Sequence, residues 1–341
     1  MMRRVVLVAG ALMASACDTP GNAAPADRPL QALTASAAAL RHGPCAASLG
    51  IVPDEGCPGS GSGSPTVGDC AVLPHDNPWN TDISAAPVHP RSAAFIANIQ
   101  AAGATNLHPD FGSNPTYGFP WALVPAATPT VPIVYGAYGS ESDPGPFPIP
   151  LTTPVESGSD HHVLVVQQGS CVLYELFAAS VQGGGWHADS GARWDLSSNA
   201  LRTEGWTSAD AAGLPIFPGL VRYDEVAAGA INHALRFTVQ RTQSGHVLPA
   251  THNAASSSDP NAPPMGLRLR LRADFDRSPF TGQARVVLDA LARFGMIVAD
   301  NGSNWFISGD RSPNWDDEDL NQLKTISGSV FEVVDTGAIR S

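Results

Sequence analysis

Residues 160–179 read DHHVLVVQQGSCVLYELFAA, and this stretch decides the fold. Counted in twos, His162, Leu164 and Val166 fall on one face of an extended segment, and Val163 and Val165 on the other. Side chains alternate across a pleated strand, so a segment apolar on both faces is a strand covered on both sides. Residues 167–171 supply turn formers and residues 172–178 run back, which predicts a hairpin. On the return strand Leu173, Glu175 and Phe177 share a face, placing a carboxylate between two large apolar neighbours. Burying such a group is costly, and the expected responses are a raised pKa or a partner.

Outward from this hairpin, residues 183–202 (GGGWHADSGARWDLSSNALR) and 212–239 (AGLPIFPGLVRYDEVAAGAINHALRFTV) continue the extended pattern. Ile231, His233, Leu235, Phe237 and Val239 form one face, with Asn232, Ala234, Arg236 and Thr238 on the other, so His233 falls on the apolar side. Residues 266–274 (GLRLRLRAD) alternate leucine with Arg268, Arg270 and Arg272. Strands are also expected at 121–124, 131–135 and 331–335. Helices are expected at 91–102 and 283–294, each ending at a glycine, and after Asp316 as N-cap. Asn301-Gly302 between MIVAD and NWFISG is a strong hairpin signal. The sum is a mainly β chain: a single antiparallel β-sandwich or jelly-roll-like domain with two or three peripheral helices.

Thirty prolines and thirty-three glycines in 341 residues argue against a helical bundle. A formal net charge of −12, with one lysine against eighteen arginines, argues against a nucleic-acid partner, which calls for a basic footprint. The chain opens MMRRVVLVAGALMASAC, which reads as a signal peptide over residues 1–17, its apolar run being too short to cross a bilayer. Ala14, Ser15 and Ala16 before Cys17 resemble a lipoprotein signal; lipidation of Cys17 would leave an even set, Cys45, Cys57, Cys70 and Cys171. Residues 18–70, rich in Ala, Pro, Gly and Ser, read as a tether, stapled locally if Cys57 pairs with Cys70; residues 71–341 form the globular domain. The expected location is the cell envelope, with the membrane touched only through a lipid on Cys17, or the exterior.

Three groups of residues could carry chemistry. The first is acidic: Glu175, Asp195, Asp210, Asp224 and Glu225 lie close in sequence to Trp186, Trp194, Trp206 and Tyr223. Glycoside hydrolysis needs two carboxyl groups in different environments, and aromatic faces give sugar rings an apolar platform. The plainer reading is acids capping turns and tryptophans filling the core. The second group is histidine: no HEXXH or zinc-finger spacing appears, and His162, His233 and His252 are at most weak metal candidates. The third is the arginine row, which could bind repeating carboxylates or form an ordinary solvated face. No GXSXG elbow, Walker loop or dinucleotide fingerprint is present, and no cofactor is expected.

The segments WTSADAAGLPIFPGLVRYDEV (206–226), NHALRFTV (232–239), PPMGLRLRLRADFD (263–276) and RFGMIVADNGSNWFISG (293–309) together resemble a group of exported proteins from soil bacteria, over about residues 78–335. The resemblance implies export and a single domain, and it carries no catalytic assignment.

The expectation is an extracellular glycoside hydrolase acting on a polysaccharide or oligosaccharide, with Glu175, Glu225 and His233 as catalytic residues. Arg222, Tyr223, Arg236, Trp186, Trp206, Asp210, Arg268 and Arg270 are the expected substrate contacts. The alternatives are a uronate lyase, with Arg268 or Arg270 on the sugar carboxylate and His233 with Tyr223 moving protons, and a non-catalytic glycan-binding or envelope-scaffold lipoprotein.

Overall fold

The both-faces-apolar reading of residues 163–177 is realised as two antiparallel strands lying between two hydrophobic clusters. The computed structural model describes residues 63–255 and 257–340. Its early strands are β1 (Thr66–Val67), β2 (Cys70–Ala71), β3 (His108–Pro109), β4 (Trp121–Val124), β5 (Ile133–Tyr135), β6 (Val163–Gln167) and β7 (Val172–Phe177). They are followed by β8 (Ser180–Gln182), β9 (Gly185–Ala188), β10 (Ser190–Asp195), β11 (Leu235–Val239) and β12 (Arg268–Leu271). The last three are β13 (Met296–Asn301), β14 (Phe306–Ile307) and β15 (Phe331–Val333). The helices are α1 (Ser92–Ala101), α2 (Tyr223–Ala227), α3 (Gly282–Arg293) and α4 (Asp317–Asn321).

A four-stranded sheet, ordered β10-β7-β6-β4, forms the middle layer. Leu164, Val166 and Leu173 on one face join the larger core, while Val163, Val165, Val172, Tyr174 and Leu176 on the other join a smaller one. The larger core is shared with a six-stranded sheet, ordered β15-β12-β13-β11-β14-β3, and with α3. The smaller core is closed by Phe147, Ile149 and Trp186, the last from the three-stranded sheet β5-β9-β8. Burying each valine or leucine of this layer stabilises by roughly 1.5–3 kcal/mol, and Glu175 is the one charged side chain in its two central strands. The mainly β class with a few helices therefore holds. Most pairings are antiparallel, while β4–β6, β5–β9, β11–β13 and β3–β14 run parallel.

Local signals were reliable for three of the four helices: α1 and α3 fall where their apolar stripes placed them, and the Asp316 side chain accepts from the Glu318 and Asp319 amides to cap α4, whereas α2 lies inside the 212–239 stretch read as extended. One turn signal also misled. β13 and β14 do not pair across Asn301-Gly302, because β11 lies between them, parallel to β13 and antiparallel to β14. Residues 302–305 instead wrap the end of β11, Gly302 N donating to Val239 O and Trp305 N to Thr238 O. A turn propensity is a statement about four residues, and it cannot sense a strand that arrives from sixty positions earlier.

The cysteine expectation also changes. Cys70 is bonded to Cys171, not to Cys57, which with Cys17 and Cys45 lies outside the described residues. The bridge ties the β1–β2 hairpin to the turn between β6 and β7, across a sequence separation of 101. The hairpin itself, at residues 66–71, occupies the end of the segment read as tether. No helix among the described residues is long and apolar enough to cross a membrane.

Closing so long a loop removes about 4–5 kcal/mol of denatured-state entropy in the chain-entropy account. A Cys70→Ser/Cys171→Ser chain is expected to lose about 2–5 kcal/mol in urea unfolding; a loss below about 1 kcal/mol would show that the bridge is dispensable.

Candidate active site

The expected catalytic carboxylates are both interior groups. Glu175 is 0% exposed, on the face of β7 that meets the larger core. Its Oε1 accepts from the amides of Ile216 (2.9 Å) and Phe217 (2.9 Å), and its Oε2 from Trp194 Nε1 (3.2 Å). Burial drives its pKa up, the three N–H donors pull it back, and the balance stands at about 7. Both responses foreseen for a buried carboxylate, a raised pKa and partners, are therefore present. The role is to pin the 214–217 loop to the sheet.

Glu225, on α2, bridges Arg222 (2.9 Å) and His233 Nε2 (3.0 Å). Burial opposes its ionisation, but the His233 ring and the Arg222 guanidinium outweigh that and hold it at about 2. His233 Nδ1 lies 2.8 Å from the Ala234 carbonyl, so both ring nitrogens are occupied. None of Glu175, Glu225 and His233 borders either of the two clefts described below.

The arginine row is neither a solvated face nor a glycan clamp at its first two positions. Arg268, buried, donates to the carbonyls of Phe294 (3.0 Å), Pro78 and Thr81 (2.9 Å). Arg270, also buried, donates to the carbonyls of Ile83, Ser84 and Ala86 and pairs with Glu332 (2.9 Å). Both fasten residues 78–86 across β12, and neither is available to a substrate. Arg272 alone is exposed, paired with Asp274 (2.5 Å). Burial without a carboxylate partner lowers Arg268 to about 9. Arg222 is likewise internal, donating to Glu225 and to Thr66 O. Trp186 fills the smaller core and donates to Ile149 O (2.9 Å), so it offers no sugar platform.

Asp210 and His252, in contrast, do border one cavity, and Arg236 is paired with Asp210 behind its wall. The Arg236 guanidinium, from the start of β11, is buried and makes a forked pair with Asp210 (Nε–Oδ2 3.2 Å, Nη2–Oδ1 2.9 Å). Its Nη1 donates to Ser308 Oγ (2.6 Å), and Nη2 lies 3.9 Å from Asp300 Oδ2. Asp210 and Asp300 reach the same nitrogen and border the same cavity of about 270 Å³, with Tyr138, Asp160, Ser190 and His252. Burial and the neighbouring Asp210 charge push Asp300 up to about 7. Burial raises Asp210 as well, against the pull of Arg236. Asp210 makes the forked pair with the guanidinium, whereas Asp300 approaches it only at 3.9 Å.

His252 Nδ1 lies 2.7 Å from the Ala211 carbonyl. Only an N–H can face a carbonyl, so the neutral ring carries its proton on Nδ1 and keeps a lone pair on Nε2. Beside this group, His162 sits between two acceptors, Glu156 Oε2 (2.6 Å from Nδ1) and Ala209 O (3.0 Å from Nε2). Burial opposes its charge, yet Glu156 raises it, and the same contact lowers Glu156. Both nitrogens being spent, His162 holds residue 209 in place and has none left for a metal. Among the described residues the group with metal-like ligand geometry is Asp69, Cys70 and Cys171, and its two sulfurs are the disulfide.

A second cleft, of about 280 Å³, is bordered by Trp79, Trp194, Trp206, Arg193 and Asn199. Trp206 borders this cleft and Thr207 the acid-lined cavity, so the 206–214 segment runs between the two. Tyr223 borders neither; it lies at a third hollow with Trp121, Asp224 and Asp310, where burial raises Asp310 to about 6.

Asp300 was not legible beforehand. It had no assigned role in MIVADNG; it is the penultimate residue of β13, a strand parallel to β11. The available sign was a carboxylate at the carboxyl end of an apolar strand, which gains meaning once a parallel neighbour is known. No family model, curated protein or solved structure matches the chain.

Glu175 gives a pH test of its burial. Its native pKa of about 7 lies above the ordinary 4.5, so between those values the unfolded chain has released a proton that the native chain keeps. Stability therefore falls as pH rises through that window. Glu175→Gln should flatten this part of the stability–pH curve measured by urea unfolding; an unchanged slope would place the carboxyl in a wetter setting.

Proposed function

We propose that the protein is a glycan hydrolase whose acid–base chemistry takes place in the cavity bordered by Asp210, Asp300 and His252. The observation that carries the reading is the convergence of a carboxyl poised near neutrality, Asp300, a carboxylate fixed by a buried guanidinium, Asp210, and a histidine with one nitrogen anchored, His252. In this reading Asp300 protonates the leaving glycosidic oxygen. His252 Nε2 takes a proton from the water that attacks the anomeric carbon. Asp210, which cannot swing away from Arg236, opposes the positive charge that develops on the ring. One C–O bond breaks, one forms from water, and the two protons transferred balance.

The uronate-lyase alternative loses its expected arginines, because Arg268 and Arg270 are spent on main-chain carbonyls. Export is part of the proposal. The Cys70–Cys171 disulfide is compatible with an oxidising compartment, and the signal and lipid-attachment readings fall on residues outside those described.

Reducing-end release from neutral and acidic polysaccharides tests the proposal. Asp300→Asn and His252→Ala are expected to lose about 10²–10⁴-fold in kcat while remaining folded by circular dichroism. Because Asp300 acts when protonated, wild-type kcat should decline as pH rises through about 7. Full activity in both variants would remove the assignment. Glycan retained without any product would favour a binding protein, and unsaturated products absorbing in the near-ultraviolet would favour a lyase.

A further inference from the structure

The cavity bordered by Asp210, Asp300 and His252 has a further wall that the acid–base chemistry does not use. Tyr138 borders it with 42% of the residue exposed. The main chain of Tyr138 is turned into the protein: its amide donates to Asp189 O (2.8 Å), and its carbonyl accepts from Glu141 N (3.0 Å) and Ser142 Oγ (2.8 Å). The part of the residue left open is therefore the side chain. The turn that carries it is fastened on two sides. Ser142 Oγ accepts from Gly191 N of β10 (3.0 Å), and Glu141 Oε2 accepts from Thr207 N (3.1 Å). A tyrosine on a fixed main chain has few rotamers to lose on binding, so it offers the apolar face of a sugar a preorganised platform.

The two walls belong to different sheets. Tyr138 is bonded beside Ser190, at the start of β10 in the four-stranded sheet, while Asp300 lies near the end of β13 in the six-stranded one. The cavity, about 270 Å³, is near the lower end for ligand pockets and holds about one sugar ring. A ring seated there has the tyrosine on the side of one sheet and the carboxyl on the side of the other.

Charge is the other means of selection. The serine hydroxyls of the cavity are engaged, Ser190 Oγ donating to Ser208 O (2.7 Å) and Ser208 Oγ to Leu214 O (2.6 Å). Three aspartates border the cavity, and no lysine or arginine does. The charge of Arg236 is already matched by Asp210 in the forked pair. Asp160 is exposed, and its main-chain carbonyl is tied to Ala178 N (2.8 Å), just past the end of β7. A sugar carboxylate or sulfate entering here would meet like charge with no counter-ion, an arrangement that rejects anionic rings.

From this arrangement we infer that Tyr138 and Asp160 select the substrate: Tyr138 stacks the sugar ring, Asp160 repels uronic and sulfated chains, and the glycan taken is an uncharged one. The inference rests on the glycan reading above and deepens it by naming the substrate class.

The test is isothermal titration of the full-length His252→Ala protein, which keeps all three aspartates, with cellohexaose, xylohexaose, mannohexaose and hexagalacturonic acid. At low ionic strength, where exposed charges are least screened, at least one neutral hexaose is expected to bind, and more tightly than hexagalacturonic acid. Adding Tyr138→Ala should weaken the neutral hexaose about 10-fold, whereas Tyr138→Phe, which keeps the ring, should stay within about 2-fold. Adding Asp160→Lys, a charge reversal at an exposed position, should tighten hexagalacturonic acid about 10-fold and leave the neutral hexaose within about 2-fold. The selection would be overturned by failure of every neutral hexaose to bind, or by hexagalacturonic acid binding as tightly as the best of them. Unchanged binding in Tyr138→Ala, an equal loss in Tyr138→Phe, or no gain for hexagalacturonic acid in Asp160→Lys would overturn it as well. The catalytic reading fails separately, through undiminished turnover in His252→Ala, and would leave the order of binding standing.

Discussion

A guanidinium removed from water must be neutralised, and the way Arg236 meets that demand organises this molecule. Its partners come from three distant parts of the chain: Asp210 from the loop after β10, Asp300 from the end of β13 and Ser308 from beside β14. Its face also lies 5.3 Å from the Phe119 ring. Removing one partner from such an arrangement leaves an uncompensated buried charge, typically a loss of 3–5 kcal/mol, so these segments are locked together. That lock also perturbs two carboxyl groups. Two carboxyl groups share one cation, and the one without the forked pair is pushed toward neutrality.

The same logic accounts for an oddity of composition, eighteen arginines against a single lysine. Arg268 and Arg270 each bind three main-chain carbonyls, Arg202 binds two carbonyls and Asp143, and Arg222 binds Glu225 and Thr66 O. The long irregular segments at 74–90 and 196–222 have few ladder bonds of their own. A planar five-donor fork can satisfy several of their carbonyls at once, which a lysine ammonium with its strong hydration does less well. Arginine is therefore used internally, as a tie between loops and sheets.

Glu175 and the 214–217 loop show how structural and functional demands meet. The carboxylate holds the amides of Ile216 and Phe217, and that loop continues back into residues 206–214, which run between the two clefts. His162 and Ala209 fasten the same segment from the other side. Residues that resembled catalytic groups, buried and with perturbed pKa values, are the supports of the wall that the proposed site is built on.

What the sequence determined by itself was everything that depends on short-range periodicity. The two-faced strand at 163–167, its hairpin partner, the α1 and α3 stripes and the Asp316 cap are all decided by which side chains fall within one or two turns or pleats of each other. That Arg236 and Asp210 would need partners was also within reach, since a charge in an otherwise apolar setting has to be accounted for. Only the tertiary structure decided their partners. Glu175 and Asp300 look equally out of place along the chain, yet one faces backbone amides in the core and the other a cavity. The parallel pairing of β11 with β13 settles this, and it joins residues sixty positions apart that no local pattern connects.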